Sequence, residues 1–235
     1  MAMKKTKSSK AAKRARKRAP VVHEEVYARL RRAIIEGQLE PGRSLSVRTL
    51  AAQFHVSAMP AREAIRRLVA LGALELTQTR RISVARMTSQ KVAELTDARV
   101  PLETGLALRA LKKTEGKPKV RAGLVSKLSK IDDKLDAAIS CGDVAAYSKA
   151  NSEFHFALYE AAGAPTLLGV VEGLWLQVGP FMRVVLSNLG TADLVDQHKE
   201  AIDAISEGDA RKLEKAISRD IAEGMRNISE ALRNS

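Results

Sequence analysis

The chain has 235 residues, enough for two modest domains, and carries a net charge of +13. Its residues are 45% hydrophobic but only 3% aromatic, so Leu, Ile, Val and Ala must fill the core, which favours helices over sheets. Cys141 is the lone cysteine, which excludes an intrachain disulfide and fits a reducing cytoplasm. No apolar run is expected to approach the length of a membrane span, and no apolar stretch follows the basic N-terminus, so neither a membrane anchor nor a secretory signal is expected.

The charge is unevenly spread. Residues 1–20 hold nine Lys/Arg and no acid, and read as a disordered basic arm. Residues 21–87 hold eleven Lys/Arg against six acids, whereas residues 88–235 are close to neutral. A basic end on a neutral body points to a polyanion as the partner of that end.

Folded sequence is expected from Val21. Val22, Val26, Leu30, Ile34 and Ile35 recur at helical spacing, Gly37 is a natural stop, and Glu40–Pro41–Gly42 makes a turn. A short helix follows with Ser46 as its N-cap, then a turn at His55–Val56–Ser57. Ser57 is expected to cap a third helix with Pro60 in its first turn and Ala64, Ile65, Leu68 and Val69 on one face. The run LELTQTRRISVAR reads as two short strands around a basic tip at Thr79–Arg80–Arg81. From Thr88 six helices are predicted, near 88–114, 118–140, 143–162, 165–187, 190–206 and 209–232, broken at Gly116/Pro118, Cys141–Gly142, Gly163–Pro165, Gly190 and Gly208. The fold class is therefore mainly α, with a winged helix-turn-helix over 21–87 and an all-helical bundle over 88–235.

The order helix, helix, turn, helix, hairpin describes a DNA reader whose third helix enters the major groove. Arg62 and Arg66 lie four residues apart on one face, and Arg is the commonest reader of guanine edges. Arg48 suits a phosphate or a base, Ser57 stands at the start of the third helix, and Arg80 and Arg81 suit the minor groove or the backbone. One such helix reads only a few base pairs, so a homodimer on a palindromic double-stranded operator is expected.

The same residues resemble the GntR regulators. The carrying motifs are Gly37–Gln38–Leu39–Glu40–Pro41–Gly42, the core Val56, Ser57, Pro60, Arg62, Glu63, Ala64, and the LxxLGxL ending. The resemblance implies DNA contacts for Arg48 and Arg62. Two departures, Ala58 where the family usually has Arg and Arg80–Arg81 where it usually has Arg–Gly, imply an operator unlike the commonest ones.

In the second half, His155 and His198 fall on separate predicted helices, and Asn151 lies one turn before His155. Two imidazoles and an amide between helices are a donor set for a divalent ion. The runs ELTDARVPLETGLALRAL, NSEFHFALYEAAGAPTLL and HKEAIDAISEGDARKLEKAISRDI are similar to the FCD ligand-binding domain of FadR-type regulators, and the helix count resembles the six-helix, VanR-like variant. That resemblance implies a metal (zinc, nickel or manganese) on Asn151, His155 and His198, with Asp220 where the family usually has a third His. It also implies Arg99 as an effector contact, with Arg183 a further candidate, and an organic acid as effector. Repression relieved by ligand is the commoner behaviour in the family. No catalytic residues are expected. Two rival readings are a metal-dependent enzyme fused to a DNA-binding domain and an architectural DNA-binding protein without a ligand.

Overall fold

A computed structural model of the chain describes residues 23–42, 44, 46–77, 81–189 and 197–233. The basic arm over 1–20, Val22, Arg80 and the expected break at Gly190 lie outside the described residues.

Helix α1 spans 23–35 and buries Val26, Leu30, Ile34 and Ile35. It stops where the sequence places Gly37, whose φ of 67° suits glycine, and the carbonyls of Ile34 and Ala33 then accept from Gly37 and Gln38. Helix α2 (Val47–Gln53) starts at Ser46, whose hydroxyl accepts the Thr49 N–H at 3.0 Å. Helix α3 (Ala58–Ala70) packs Pro60, Ala61, Ala64, Ile65 and Leu68 inward. One expectation fails here. Ser57 occupies the N-cap position with extended backbone, but its side chain makes no capping bond. Two short antiparallel strands follow, β1 (Leu74–Leu76) and β2 (Ile82–Val84), in the register Leu74 opposite Val84. Together these form a winged helix-turn-helix.

Six helices complete the chain: α4 (Ser89–Lys113), α5 (Pro118–Cys141), α6 (Val144–Ala161), α7 (Pro165–Leu189), α8 (Gln197–Glu207) and α9 (Ala210–Arg233). Thr88 and Asp143 cap α4 and α6 with side-chain oxygens. Helix α4 packs against α6, α7 and α9, while α5 lies against α6 and α8. The apolar stripe of α9 is Leu213, Ala216, Ile217, Ile221, Met225 and Ile228, spacing that seats one face on the bundle.

Helix α7 corrects the sequence reading in one respect. Pro165–Val185 is long and apolar enough to cross a membrane by length and composition, with a mean hydropathy of 1.2. In the fold its apolar residues have two neighbours to satisfy. Val171, Trp175, Leu176 and Val178 are buried, and α7 packs on α4, α6 and α9. Its other side meets the winged domain. Gly179 is the close approach, since a Cβ there would run into the Ile35 backbone, with the carbonyl carbon at 2.8 Å. Glu172 pairs with Arg31 of α1, and Arg183 donates from Nη1 to the Gly37 carbonyl at 3.3 Å. A charged pair and a backbone contact thus break the apolar run.

Candidate nucleic-acid interface and metal centre

The outward face of α3 is polar. Ser57, Ala58, Met59, Arg62, Glu63 and Arg66 are exposed, as is Arg48 on α2. Arg66 lies 3.9 Å from Glu63, and both remain open to solvent. Arg67 behaves differently from its neighbour. It pairs with Glu24 and stacks 3.6 Å over the Tyr27 ring, so it ties α3 to α1. At the wing, Arg81 is exposed; its backbone N–H donates to the Thr77 hydroxyl and its guanidinium to the Ser44 carbonyl at 3.2 Å. A solvent-exposed row of arginines beside a hairpin suits the phosphates and base edges of a duplex.

The second centre is buried in the bundle. His155 from α6, His198 from α8 and Asp220 from α9 converge, with their donor atoms within 4.8 Å of one another. Both imidazoles are almost fully buried. His155 Nε2 lies 3.0 Å from Asp220 Oδ2 and 3.4 Å from His198 Nε2, and His198 Nε2 lies 3.7 Å from Asp220 Oδ1. Asp220 stands among the α9 residues that face the bundle, three residues after Ile217 and one before Ile221. Its carboxylate is driven inward by the helix register, not by its own preference.

A chain of polar side chains supports this triad. His155 Nδ1 meets the Tyr159 hydroxyl at 3.0 Å, and that hydroxyl donates to Glu103 Oε2 at 2.8 Å. Trp175 Nε1 donates to the same oxygen at 2.9 Å. Arg99 Nε donates to Glu103 Oε1 at 2.6 Å, and its guanidinium lies 4.9 Å over the Trp175 ring. Glu103 is fully buried, and its two oxygens accept from Arg99, Tyr159 and Trp175. Burial opposes the charge on Arg99, but Glu103, then Tyr159 and Asp220, more than offset it and raise its pKa. Burial pushes the Tyr159 phenol well above its usual value, and Glu103 adds to this, so the hydroxyl stays protonated.

Tyr159 gives its proton to Glu103, so its oxygen accepts from His155 Nδ1–H and Nε2 is turned to the triad. There Nε2 lies 3.0 Å from a carboxylate oxygen, a separation bridged by a shared proton or by a metal ion between the two. Burial works against the Asp220 charge, but His155, His198 and Arg99 outweigh it and bring its pKa down to about 2. The donor set also fits an ion. Ligands at ~2.1 Å from one centre stand roughly 3.0–3.4 Å apart, close to the three separations observed. The Tyr159–Glu103 relay is the kind of outer support that fixes a metal-binding imidazole.

The structure thus brings together three of the four sequence-derived metal candidates. Asn151 is half-buried one turn before His155, and among the described residues no hydrogen bond joins it to the triad. Arg99 lies beneath the triad, engaged with Glu103. Arg183 is seated against the winged domain at Gly37. Sequence reasoning missed Glu103, Tyr159 and the polar role of Trp175. The signal was there for two of them: Glu103 is four residues after Arg99, and Tyr159 four after His155.

Comparison with known proteins agrees with this architecture. Residues 22–84 match the model of bacterial regulatory proteins of the gntR family, and residues 94–223 match the FCD domain. The chain is 27% identical over 158 residues to the HTH-type transcriptional regulator McbR of Escherichia coli K12, covering 67% of this chain and 69% of the relative. It is 31% identical over 154 residues to the gluconate operon transcriptional repressor of Bacillus subtilis 168, covering 66% of this chain and 59% of that one. The solved structure of E. coli McbR/YncC superposes with a TM-score of 0.80 at 22% identity, covering 90% of this chain and 98% of that chain, which shows a shared fold. The chain is a DNA-binding transcription regulator, not an enzyme, and belongs to the GntR family, in the group that carries an FCD effector domain.

Proposed function

We propose that the protein is a homodimeric repressor, acting in the cytoplasm, whose grip on a palindromic operator is controlled by a small organic acid bound beside a divalent ion in the FCD domain. Relatives named as repressors, of the gluconate operon and of D-xylose utilisation, support the sign of regulation. In the N-terminal half, Arg62 and Arg66 read base edges from α3, while Arg48, Ser57, Arg80 and Arg81 hold phosphates or the minor groove. The uncapped Ser57 hydroxyl favours this role, because it has no intrahelical duty.

The observation that carries the effector half is the convergence of His155 Nε2, His198 Nε2 and Asp220 on one buried point. Two nitrogens and a carboxylate suit zinc, nickel or manganese. A divalent ion held there would supply positive charge and unfilled coordination positions for a carboxylate. The chain's own residues do the rest. Tyr159 and Glu103 orient His155, and Arg99 adds positive charge under Asp220. Asn151, one turn from His155, completes the ligand set if its amide turns inward.

Helix α7 supports a route between the two halves. Trp175 on one side bonds Glu103, while Glu172, Gly179 and Arg183 meet α1 and the turn after it. A ligand shifts DNA affinity only through its different affinity for the two states, so it must move this helix or the dimer geometry. The test is elemental analysis of the purified protein, joined to operator binding measured against a panel of small organic acids. About one metal per chain, and operator release by an acid, is the expected result. A metal-free protein whose operator affinity no acid alters would favour the ligand-independent architectural reading.

A further inference from the structure

Met59 stands out on the face of α3 that carries the arginines. It is 75% exposed, whereas the residues that follow it, Pro60 and Ala61, are buried. Residues 59, 62, 63 and 66 share one sector of the helix, so Met59 sits in the first turn between the lines of Arg62, Arg66 and Glu63. Single exposed apolar residues are ordinary on a protein surface. This one is different in its setting, as the sole large apolar side chain on an otherwise charged helix face. Pro60 and Ala61, packed into the core, hold the first turn in place behind it.

The chemistry of the major groove gives such a side chain one specific partner. Each base pair presents hydrogen-bonding edges there, and thymine alone presents a methyl group. The N-terminal turn of a recognition helix is the part that reaches base edges. The neighbouring position is Ala58, too short to reach a base, which leaves room for the longer, flexible thioether chain. We infer that Met59 is a specificity-determining residue that reads the C5 methyl of one thymine in each operator half-site by apolar contact. The inference rests on the proposed placement of α3 in the major groove, and adds to it a residue and a base.

The experiment begins by selecting the operator from a random DNA pool with the full chain. Each thymine in the half-site is then replaced singly by deoxyuridine, which deletes only the methyl. Affinities are measured for the wild type, Met59→Ala and Arg62→Ala. Loss of one buried methyl should weaken the wild type about fourfold at one thymine per half-site. Met59→Ala should bind the thymine operator about as weakly as the wild type binds the uracil one, and should be indifferent to the replacement. An operator without thymine in its half-sites would overturn the inference. So would a replacement that costs both proteins equally, or one that costs the wild type nothing. Arg62→Ala separates the two levels. If it keeps full specific binding, the placement of α3 fails, and if it loses binding while deoxyuridine has no effect, only the role of Met59 fails.

Discussion

The two halves of the molecule use arginine in opposite ways. On α3, Arg62 and Arg66 stand in solvent, and Arg66 has only a loose partner in Glu63. In the bundle, Arg99 is 5% exposed and locked to a Glu103 that is fully buried. An exposed guanidinium costs the fold almost nothing and is free for a phosphate or a guanine. A buried one must be answered inside the protein, so it orders the side chains around it. The first half keeps its arginines open to a partner, and the second closes Arg99 into a network of its own side chains.

That contrast breaks most sharply at Glu103. Glu103→Ala leaves Arg99 charged in the core without its ion-pair partner, and strips Tyr159 and Trp175 of their acceptor. A loss of about 3–5 kcal/mol is expected in urea unfolding. A loss under about 1 kcal/mol would mean that water or a rearranged side chain replaces the carboxylate, and the network would not be the organiser it is taken to be.

Arg62→Ala is the mirror experiment. Specific operator binding should fall by about 1–3 kcal/mol per half-site, while unfolding stability stays within about 0.5 kcal/mol of the wild type. Competition titrations with specific and unrelated DNA check the first part. Equal weakening on both DNAs would make Arg62 a phosphate contact.

Asp220 gives the buried half a dependence on pH. Its folded pKa of about 2 lies below the ordinary 3.8, so the group favours the folded state above pH 4, and that contribution is lost as pH falls toward 2. In chelator-treated protein, the difference in stability between the wild type and Asp220→Asn should therefore shrink by about 2 kcal/mol between pH 5 and pH 2. A difference that stays constant over that range would show that the His155 and His198 contacts do not hold the carboxylate.

The smallest effect belongs to Arg66→Ala. Its pair with Glu63 is exposed, so unfolding stability should change by no more than about 0.5 kcal/mol. A larger loss would bring α3's outer face into the folding account, and weaken the claim that it is kept for DNA.

Much of this was legible in the chain. Gly37, Gly116, Gly142, Gly163 and Gly208 mark helix ends, each with positive φ, and Ser46 caps as its spacing implies. The hairpin was legible as two short strands around a basic tip. The polar network was harder to see. Arg99 with Glu103, and His155 with Tyr159, are spaced one turn apart, but the same spacing describes countless surface pairs. Only the packing of α4 against α6, α7 and α9 turns these pairs toward each other. The contact of Arg183 with the Gly37 carbonyl was also hidden, since its helix has two covered faces and Arg183 lies on the one toward Gly37. Ser57 misled because the N-cap position was read as a capping bond, and the side chain does not make one.

We propose that the buried triad, and not the exposed reader, senses the effector. The direct measurement compares the wild type with the His155→Ala/His198→Ala double variant, after thermal melts establish that both are folded. Removing a bound metal also removes its contribution to stability, so the variant should melt lower. Bound metal, operator affinity, and operator release by the panel of organic acids are then measured on both. About one metal per wild-type chain and none in the variant are expected, with similar operator affinity in the two and release by acid in the wild type alone. A folded double variant that releases the operator at the same acid concentration as the wild type would contradict the proposal.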